Sequence, residues 1–118
     1  MGLQDSYIIS GTETVEELRR IAEKRRCTLF LPLSALRSMM EIFLEGRVSA
    51  ASLEGVAEYL EMNEAVLTLP EETARINDVV FMLANPAING PTDSRKVRAL
   101  QEAIDADSQG EAYHPPLE

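Results

Sequence analysis

Histidine, cysteine and tryptophan are almost missing from this chain, and each shortage excludes a class of protein. Tryptophan is absent and aromatic residues make up 5% of the sequence, so the core has to be built from Leu, Val, Ile, Ala and Met, as in packed helices. The single cysteine, Cys27, excludes an internal disulfide framework. The single histidine, His114, lies close to the C-terminus, which argues against a histidine-based triad or metal site.

Membrane and targeting signals are also missing. No apolar run is long enough to cross a bilayer, and the first six residues lack the basic-then-apolar order of a signal peptide. We therefore expect a cytoplasmic protein without membrane contact. The length fits one helical domain, which we assign to residues 1–108. Residues 109–118 are expected to form a flexible tail, and its final Leu-Glu is typical of a cloning vector.

The acidic charge is unevenly distributed along the chain. Residues 1–30 carry five acids and five bases, which cancel. Residues 31–92 carry nine acids and three bases, a net charge of −6, and the remainder carries six acids and three bases, a net charge of −3. An acidic domain repels the phosphates of nucleic acid but attracts a basic protein. We therefore expect no nucleic-acid partner.

Hydrophobic periodicity predicts a mainly α fold, a small bundle of about five helices. Thr14 with Glu17, and Thr68 with Glu71, have the spacing of a capping box. Ser49, and Thr92 or Asp93, are suited to cap two further helices. The predicted helices cover 15–26, 32–46, 50–61, 70–84 and 93–106.

The predicted helix at 32–46 is apolar nearly all round, which is typical of the middle of a bundle. Pro32 suits its first turn and Gly46 suits the left-handed residue that follows a helix. Its polar side chains include Arg37, Glu41 and Glu45, which are four apart and are expected to form a narrow ladder facing the solvent.

Three short apolar runs leave two interpretations open. Residues 7–9, 27–31 and 66–69 are long enough for minimal strands, and the first two would then form a parallel β-α-β unit. Otherwise they are buried extended connections. The predicted fold is therefore a helical bundle with or without a two- or three-strand element.

Catalytic and metal-binding motifs are not recognisable. Cys27 has no histidine partner in the predicted domain and is interpreted as a small buried hydrophobe. Carboxylates are plentiful, but the histidines of di-iron bundles are missing, as are a glycine-rich phosphate loop and an EF-hand loop. The bases between Arg19 and Arg26 have acids interleaved or adjacent (Glu13, Glu16, Glu17 and Glu23), which favours ion pairs and helix-end stabilisation over nucleic-acid binding. We expect no enzymatic activity, no metal and no cofactor.

Two segments resemble small bacterial immunity proteins of the colicin D type. Residues 40–54, Met-Glu-Ile-Phe-Leu-Glu-Gly-Arg-Val-Ser-Ala-Ala-Ser-Leu-Glu, are similar to the family's helix, glycine-basic turn and Ser-Ala helix start. Residues 69–72, Leu-Pro-Glu-Glu, followed by Ile-Asn-Asp-Val-Val-Phe at 76–81, are similar to its later helix. The chain departs from the family in its additional N-terminal helix and in Ala-Asn-Pro-Ala at 84–87, where an aromatic-acidic run is expected.

The resemblance implies a helical protein that neutralises a basic nuclease toxin with an acidic face that replaces the phosphates of the substrate. The residues it implies as partner-binding are Glu41, Glu45, Glu54, Glu58, Glu61, Glu71, Glu72 and Asp78.

An alternative interpretation is a structural or adaptor module that associates with itself. In that case the surplus apolar surface of Met39, Ile42, Phe81 and Met82 would form a homo-oligomer.

Overall fold

The predicted helical bundle with a minimal sheet is confirmed. The computed structural model describes residues 6–63 and 65–108; the predicted tail and His114 lie outside the described residues. The elements in chain order are β1 Ser6–Ile8, α1 Val15–Arg19, a π-helical turn Arg20–Lys24, β2 Thr28–Phe30, α2 Leu33–Leu44, α3 Ala50–Met62, a 3₁₀ turn Pro70–Glu72, α4 Thr73–Ala84, α5 Pro86–Asn89 and α6 Ser94–Ser108.

Three of the helices, α1, α3 and α6, begin at the predicted caps. Thr14 and Glu17 form the capping box, with hydrogen bonds of 2.9 and 3.1 Å. The hydroxyl of Ser49 accepts from the Ser52 amide at 3.1 Å, and Asp93 accepts from the Lys96 amide at 2.9 Å. The predicted box at Thr68 and Glu71 is wrong, since the Thr68 hydroxyl lies 2.7 Å from that of Thr73 and the chain enters α4 through a 3₁₀ turn.

Helix ends differ more from the prediction. The first helix widens into a π turn and stops at Lys24, because Arg26 takes the left-handed conformation at φ 55°. Gly46 follows α2 at φ 79°, as predicted. Pro32 is the cap of α2 and not a residue of its first turn. The segment predicted as a turn after Pro86 contains α5, and the last helix extends to Ser108.

Two of the three predicted segments contain the strands of the sheet, which are shifted by one residue in the first segment and shorter in the second. β1 and β2 pair in parallel, with Tyr7 opposite Leu29, and α1 connects them. The third segment contributes a single parallel bridge between Leu67 and Phe30, held by backbone hydrogen bonds of 2.8 and 2.9 Å. A β-α-β unit with one further bridge therefore forms, and β2 lies between its two partners.

The core lies between the inner face of this sheet and the helices. Its fully buried side chains come from the segments around the sheet and from α1, α2, α4 and α6: Ile9, Leu18, Leu29, Leu31, Leu36, Met40, Ile76, Val79, Leu83, Val97, Leu100 and Ile104. The apolar residues of α2 as far as Met40 are buried as predicted, but Ile42, Phe43 and Leu44 are only half-buried.

Candidate protein-interaction site

The predicted acidic residues occupy four different environments. Glu41 and Glu45 lie on α2, Glu54, Glu58 and Glu61 on α3, Glu71 and Glu72 in the 3₁₀ turn, and Asp78 on α4. Helical spacing correctly places the three glutamates of α3 on one face, but the eight acids do not form a single surface. The hydrogen bonds of each group decide which of them suit an interface.

The two glutamates of α2 are matched by nearby donors. Glu41 accepts from the side-chain amide of Gln101 at 3.2 Å, and Glu45 pairs with Arg47 at 3.1 Å. Arg37 forms its ion pair with Asp105 of α6, not within the predicted ladder. Ion pairs at such exposed sites contribute little stability, but they oppose the charges of Glu45 and Asp105, while Glu41 meets only the neutral amide of Gln101.

Glu72 has a structural role that the sequence did not reveal. Its half-buried carboxylate accepts from the Leu33 amide at 3.0 Å, across 39 positions of the chain. The cap residue of α2, Pro32, has no side chain that can accept this hydrogen bond. Glu72 therefore caps α2, and its predicted role in partner binding stays a prediction. Glu71 stays exposed.

A cleft between α3 and α4, which we call the α3–α4 groove, brings two predicted acids together. It has a volume of about 570 Å³, and Glu61 and Asp78 line it together with Phe81. Leu60, Ile76 and other apolar side chains form its base. The Glu61 carboxylate accepts from the side-chain amide of Asn85 at 3.1 Å, which fixes its position at the rim.

All charged side chains of α3, which borders this groove, are acidic. Between residues 50 and 62 it carries three glutamates and neither lysine nor arginine. Glu58 is exposed and lines a second cleft, between α3 and α1. In this cleft the guanidinium carbon of Arg19 lies 5.7 Å from the centre of the Tyr59 ring. Glu54 is half-buried and lies near Lys96; burial lowers the pKa of Lys96, and the carboxylates of Glu54 and Asp93 oppose that shift.

Exposed apolar side chains accompany these acids. Phe81 is 38% exposed at the groove, and Met62, at the end of α3, is 75% exposed. Of the four residues predicted for self-association, Met39 and Met82 are buried in the core, so that predicted surface is wrong. Phe81 instead combines an aromatic face with neighbouring carboxylates, which is typical of an anchor residue in an interface.

Glu13 is a hydrogen-bonding centre that the sequence pattern did not indicate. Its carboxylate accepts from the Tyr7 hydroxyl at 2.5 Å, from the Ser10 amide and hydroxyl at 3.0 Å and from the Gly11 amide at 2.9 Å. Burial raises the pKa of Glu13, but these hydrogen bonds together lower it below its ordinary value. The only signal in the sequence is the polar run Ser-Gly-Thr-Glu after a strand. With its acceptor sites filled, Glu13 orders the loop between β1 and α1.

We expect Tyr7 to titrate late. The hydrogen bond to Glu13, and then burial, raise its pKa from the ordinary 10.0 to about 12. The stability that neutral Tyr7 contributes is therefore complete below pH 10 and is lost as the pH rises to about 12. Conversely, the contribution of ionised Glu13 is present above pH 4.5 and is lost as the pH falls through its lowered pKa.

The titration of Tyr7 is measured by the ultraviolet absorbance of its phenolate, taken as the difference between the wild type and Tyr7→Phe. Glu13→Gln should move the midpoint back towards 10.0, whereas the exposed neighbour Glu16→Gln should leave it unchanged. A Tyr7 midpoint that does not depend on Glu13 would contradict this explanation of the loop.

Metal binding and membrane insertion receive no support in the described part of the chain. Residues 6–63 and 65–108 contain no group of three or more His, Cys, Asp or Glu side chains arranged to hold a metal ion. Within the same ranges, every helix is too short or too polar to traverse a bilayer. Cys27 is buried, as predicted.

Comparisons of this chain with protein-family models, with curated proteins and with solved structures find no match. The resemblance to colicin D-type immunity proteins therefore depends on the sequence motifs alone.

Proposed function

We propose that this protein is a cytoplasmic, non-enzymatic binding domain that neutralises a basic protein partner, a nuclease toxin being the class that fits best. The observation that carries the proposal is the α3–α4 groove, in which Glu61 and Asp78 lie beside the exposed ring of Phe81. An exposed glutamate and a half-buried aspartate next to an apolar anchor suit a basic protein surface, whereas a metal or a small substrate requires a more enclosed polar site.

The two kinds of side chain have different roles in this proposal. Phe81 enters an apolar pocket of the partner and, with Met62, sets the lifetime of the complex. The carboxylates of Glu58 and Glu61 attract lysines and arginines of the partner and increase the association rate, an effect that salt weakens. In a nuclease toxin those bases are the ones that hold substrate phosphates, so their occupation blocks activity, as the resemblance to immunity proteins implies.

The two glutamates of α2 give a matched control. Glu58 and Glu61 on α3, and Glu41 and Glu45 on α2, are all exposed. Glu58→Gln/Glu61→Gln and Glu41→Gln/Glu45→Gln therefore remove the same charge from two different surfaces without changing side-chain size.

The test is retention of lysate proteins from the source cell on the immobilised wild type and on both double variants, at low and at high salt. We expect the wild type and the α2 variant to retain one basic protein at low salt and to lose it at high salt, and the α3 variant to retain much less of it. Equal retention by the two variants, or no basic protein on the wild type, would contradict the proposal.

A further inference from the structure

The cleft between α1 and α3, which we call the α1–α3 cleft, lies on the opposite side of α3 from the α3–α4 groove. It has a volume of about 900 Å³. Gly55 and Tyr59, four positions apart on one helix face, line this cleft, whereas Leu60 and Glu61 line the groove. Among the described residues the two surfaces have only Asn63 in common, so each can be occupied without the other.

The floor of the α1–α3 cleft is apolar. Cys27 and Leu29 are buried there, and Val15 and Ala22 are half-buried. Met62 lines the cleft at the end of α3 and is 75% exposed. An open apolar cleft between two helices can receive the apolar face of an amphipathic helix from another protein.

The charged groups that line this cleft are mainly acidic. Three of them are carboxylates, those of Glu16, Glu23 and Glu58, and one is the guanidinium of Arg19, which together give a net charge of −2. Within residues 6–63 and 65–108 these carboxylates make neither an ion pair nor a hydrogen bond. Arg20 and Lys24 lie beside Glu16 and Glu23 on another side of the first helical segment and do not line the cleft. The cleft therefore complements a cationic ligand.

Arg19 covers the face of the Tyr59 ring. Its guanidinium carbon, 5.7 Å from the ring centre, is within the range of a cation–π contact. The ring is half-buried in the wall of the cleft, while Arg19 is exposed. This contact shows that the wall accepts a planar cation on an aromatic face. Because an exposed cation–π contact is weak, an arginine from outside can replace Arg19.

We propose that the α1–α3 cleft binds a basic amphipathic helix of a protein partner, with an arginine of that helix replacing Arg19 on the Tyr59 ring. The apolar face of the helix covers the floor, and its other bases meet the carboxylates of the rim. Arg19 is then an internal competitor that disfavours segments with few cations. The site is independent of the proposed function, because it uses the opposite side of α3 from the groove.

Fluorescence anisotropy of a labelled synthetic peptide at low salt tests this binding. The peptide repeats leucine and arginine in the pattern of an amphipathic helix, and a second peptide has glutamate in place of arginine. We expect the wild type to bind only the arginine peptide, with the largest changes of amide shifts in heteronuclear NMR spectra along α1 and at Gly55 and Tyr59. Absence of binding would overturn the proposal. Shifts confined to Asn77, Asp78 and Phe81 would also overturn it, but would leave the proposed function of the groove standing.

Arg19→Gln removes the internal competitor. We expect this variant to bind the arginine peptide about fivefold more tightly than the wild type does. The matched control is Arg20→Gln, which removes the same charge from an exposed side chain that does not line the cleft and should change the affinity by about twofold at most. Equal gains in the two variants would mean that net charge alone acts, and would overturn the proposal.

Tyr59→Leu removes the aromatic wall and should weaken binding of the arginine peptide about fivefold, whereas Tyr59→Phe keeps the ring and should bind like the wild type. Circular dichroism checks that both variants fold. Glu16→Gln/Glu23→Gln changes exposed side chains only, so it tests the rim even where leucine at position 59 disturbs folding. An unchanged affinity in this double variant would overturn the proposal.

Discussion

Gly11→Ala is expected to lower the free energy of unfolding by about 3 kcal/mol, because the added methyl group meets both backbone strain and a steric clash. Gly11 has φ 105°, which L-residues rarely adopt. A Cβ at this position would lie 2.6 Å from the Ala35 carbonyl oxygen and 2.8 Å from the Ser38 Cβ, both on α2. The loop that Glu13 organises can therefore approach α2 only with glycine at this position.

Two other glycines separate the cost of backbone strain from the cost of the steric clash. Gly46 also has a positive φ, of 79°, but nothing lies within 4 Å of its added Cβ, so Gly46→Ala should cost about 1 kcal/mol from backbone strain alone. Gly55 lies inside α3 with only Val15 Cγ2 at 3.6 Å, and Gly55→Ala should stabilise the helix by about 0.5 kcal/mol. Chemical denaturation measures all three, and a Gly11→Ala cost no larger than that of Gly46→Ala would refute the close contact with α2.

Glu72→Ala is expected to lower the free energy of unfolding by about 1 to 2 kcal/mol, as the loss of a helix cap does. The variant leaves the Leu33 amide without its acceptor at the start of α2, and Pro32 offers no replacement. Glu71→Ala is the control, since this exposed neighbour makes no side-chain hydrogen bond among the described contacts. Chemical denaturation compares the free energies of unfolding of the two variants. An equal loss of stability in both would mean that Glu72 does not cap α2.

Local signals in the sequence predicted the helices well. The box of Thr14 and Glu17, the caps at Ser49 and Asp93, and the left-handed Gly46 each act over three or four residues, so they are readable without a fold. The predicted box at Thr68 does not form, because the Thr68 hydroxyl hydrogen-bonds with that of Thr73 and the chain enters α4 through a 3₁₀ turn.

Contacts between distant parts of the chain were not predictable in this way. In the sequence Glu72 is one of several acids expected on a surface, but in the fold its carboxylate oxygen lies 3.0 Å from the Leu33 amide nitrogen. The four-residue spacing placed Arg37 in a ladder with Glu41, but in the fold Arg37 forms its ion pair with Asp105 of α6. The bridge at Leu67 depends on β2 being already in place. In each case the pattern showed the residue type, and tertiary packing selected its partner.

The candidate site was also predictable only in its local features and not in its tertiary contacts. Helical spacing correctly assigned Glu54, Glu58 and Glu61 to one acidic face of α3. It did not show that Asp78 of α4 joins Glu61 in a groove, or that the ring of Phe81 stays exposed beside them. Those two facts depend on how α3 packs against α4.

Zero-length cross-linking tests the proposed role of the α3–α4 groove most directly. A carbodiimide joins a carboxylate to a lysine amine only when the two are in contact, and mass spectrometry then identifies the acid that was used. In source-cell lysate at low salt, we expect cross-links from Glu58, Glu61 and Asp78 to lysines of one basic protein, lost at high salt. Cross-links to such a protein from Glu41, Glu45 or Glu71 alone would place the partner elsewhere and contradict the proposed function.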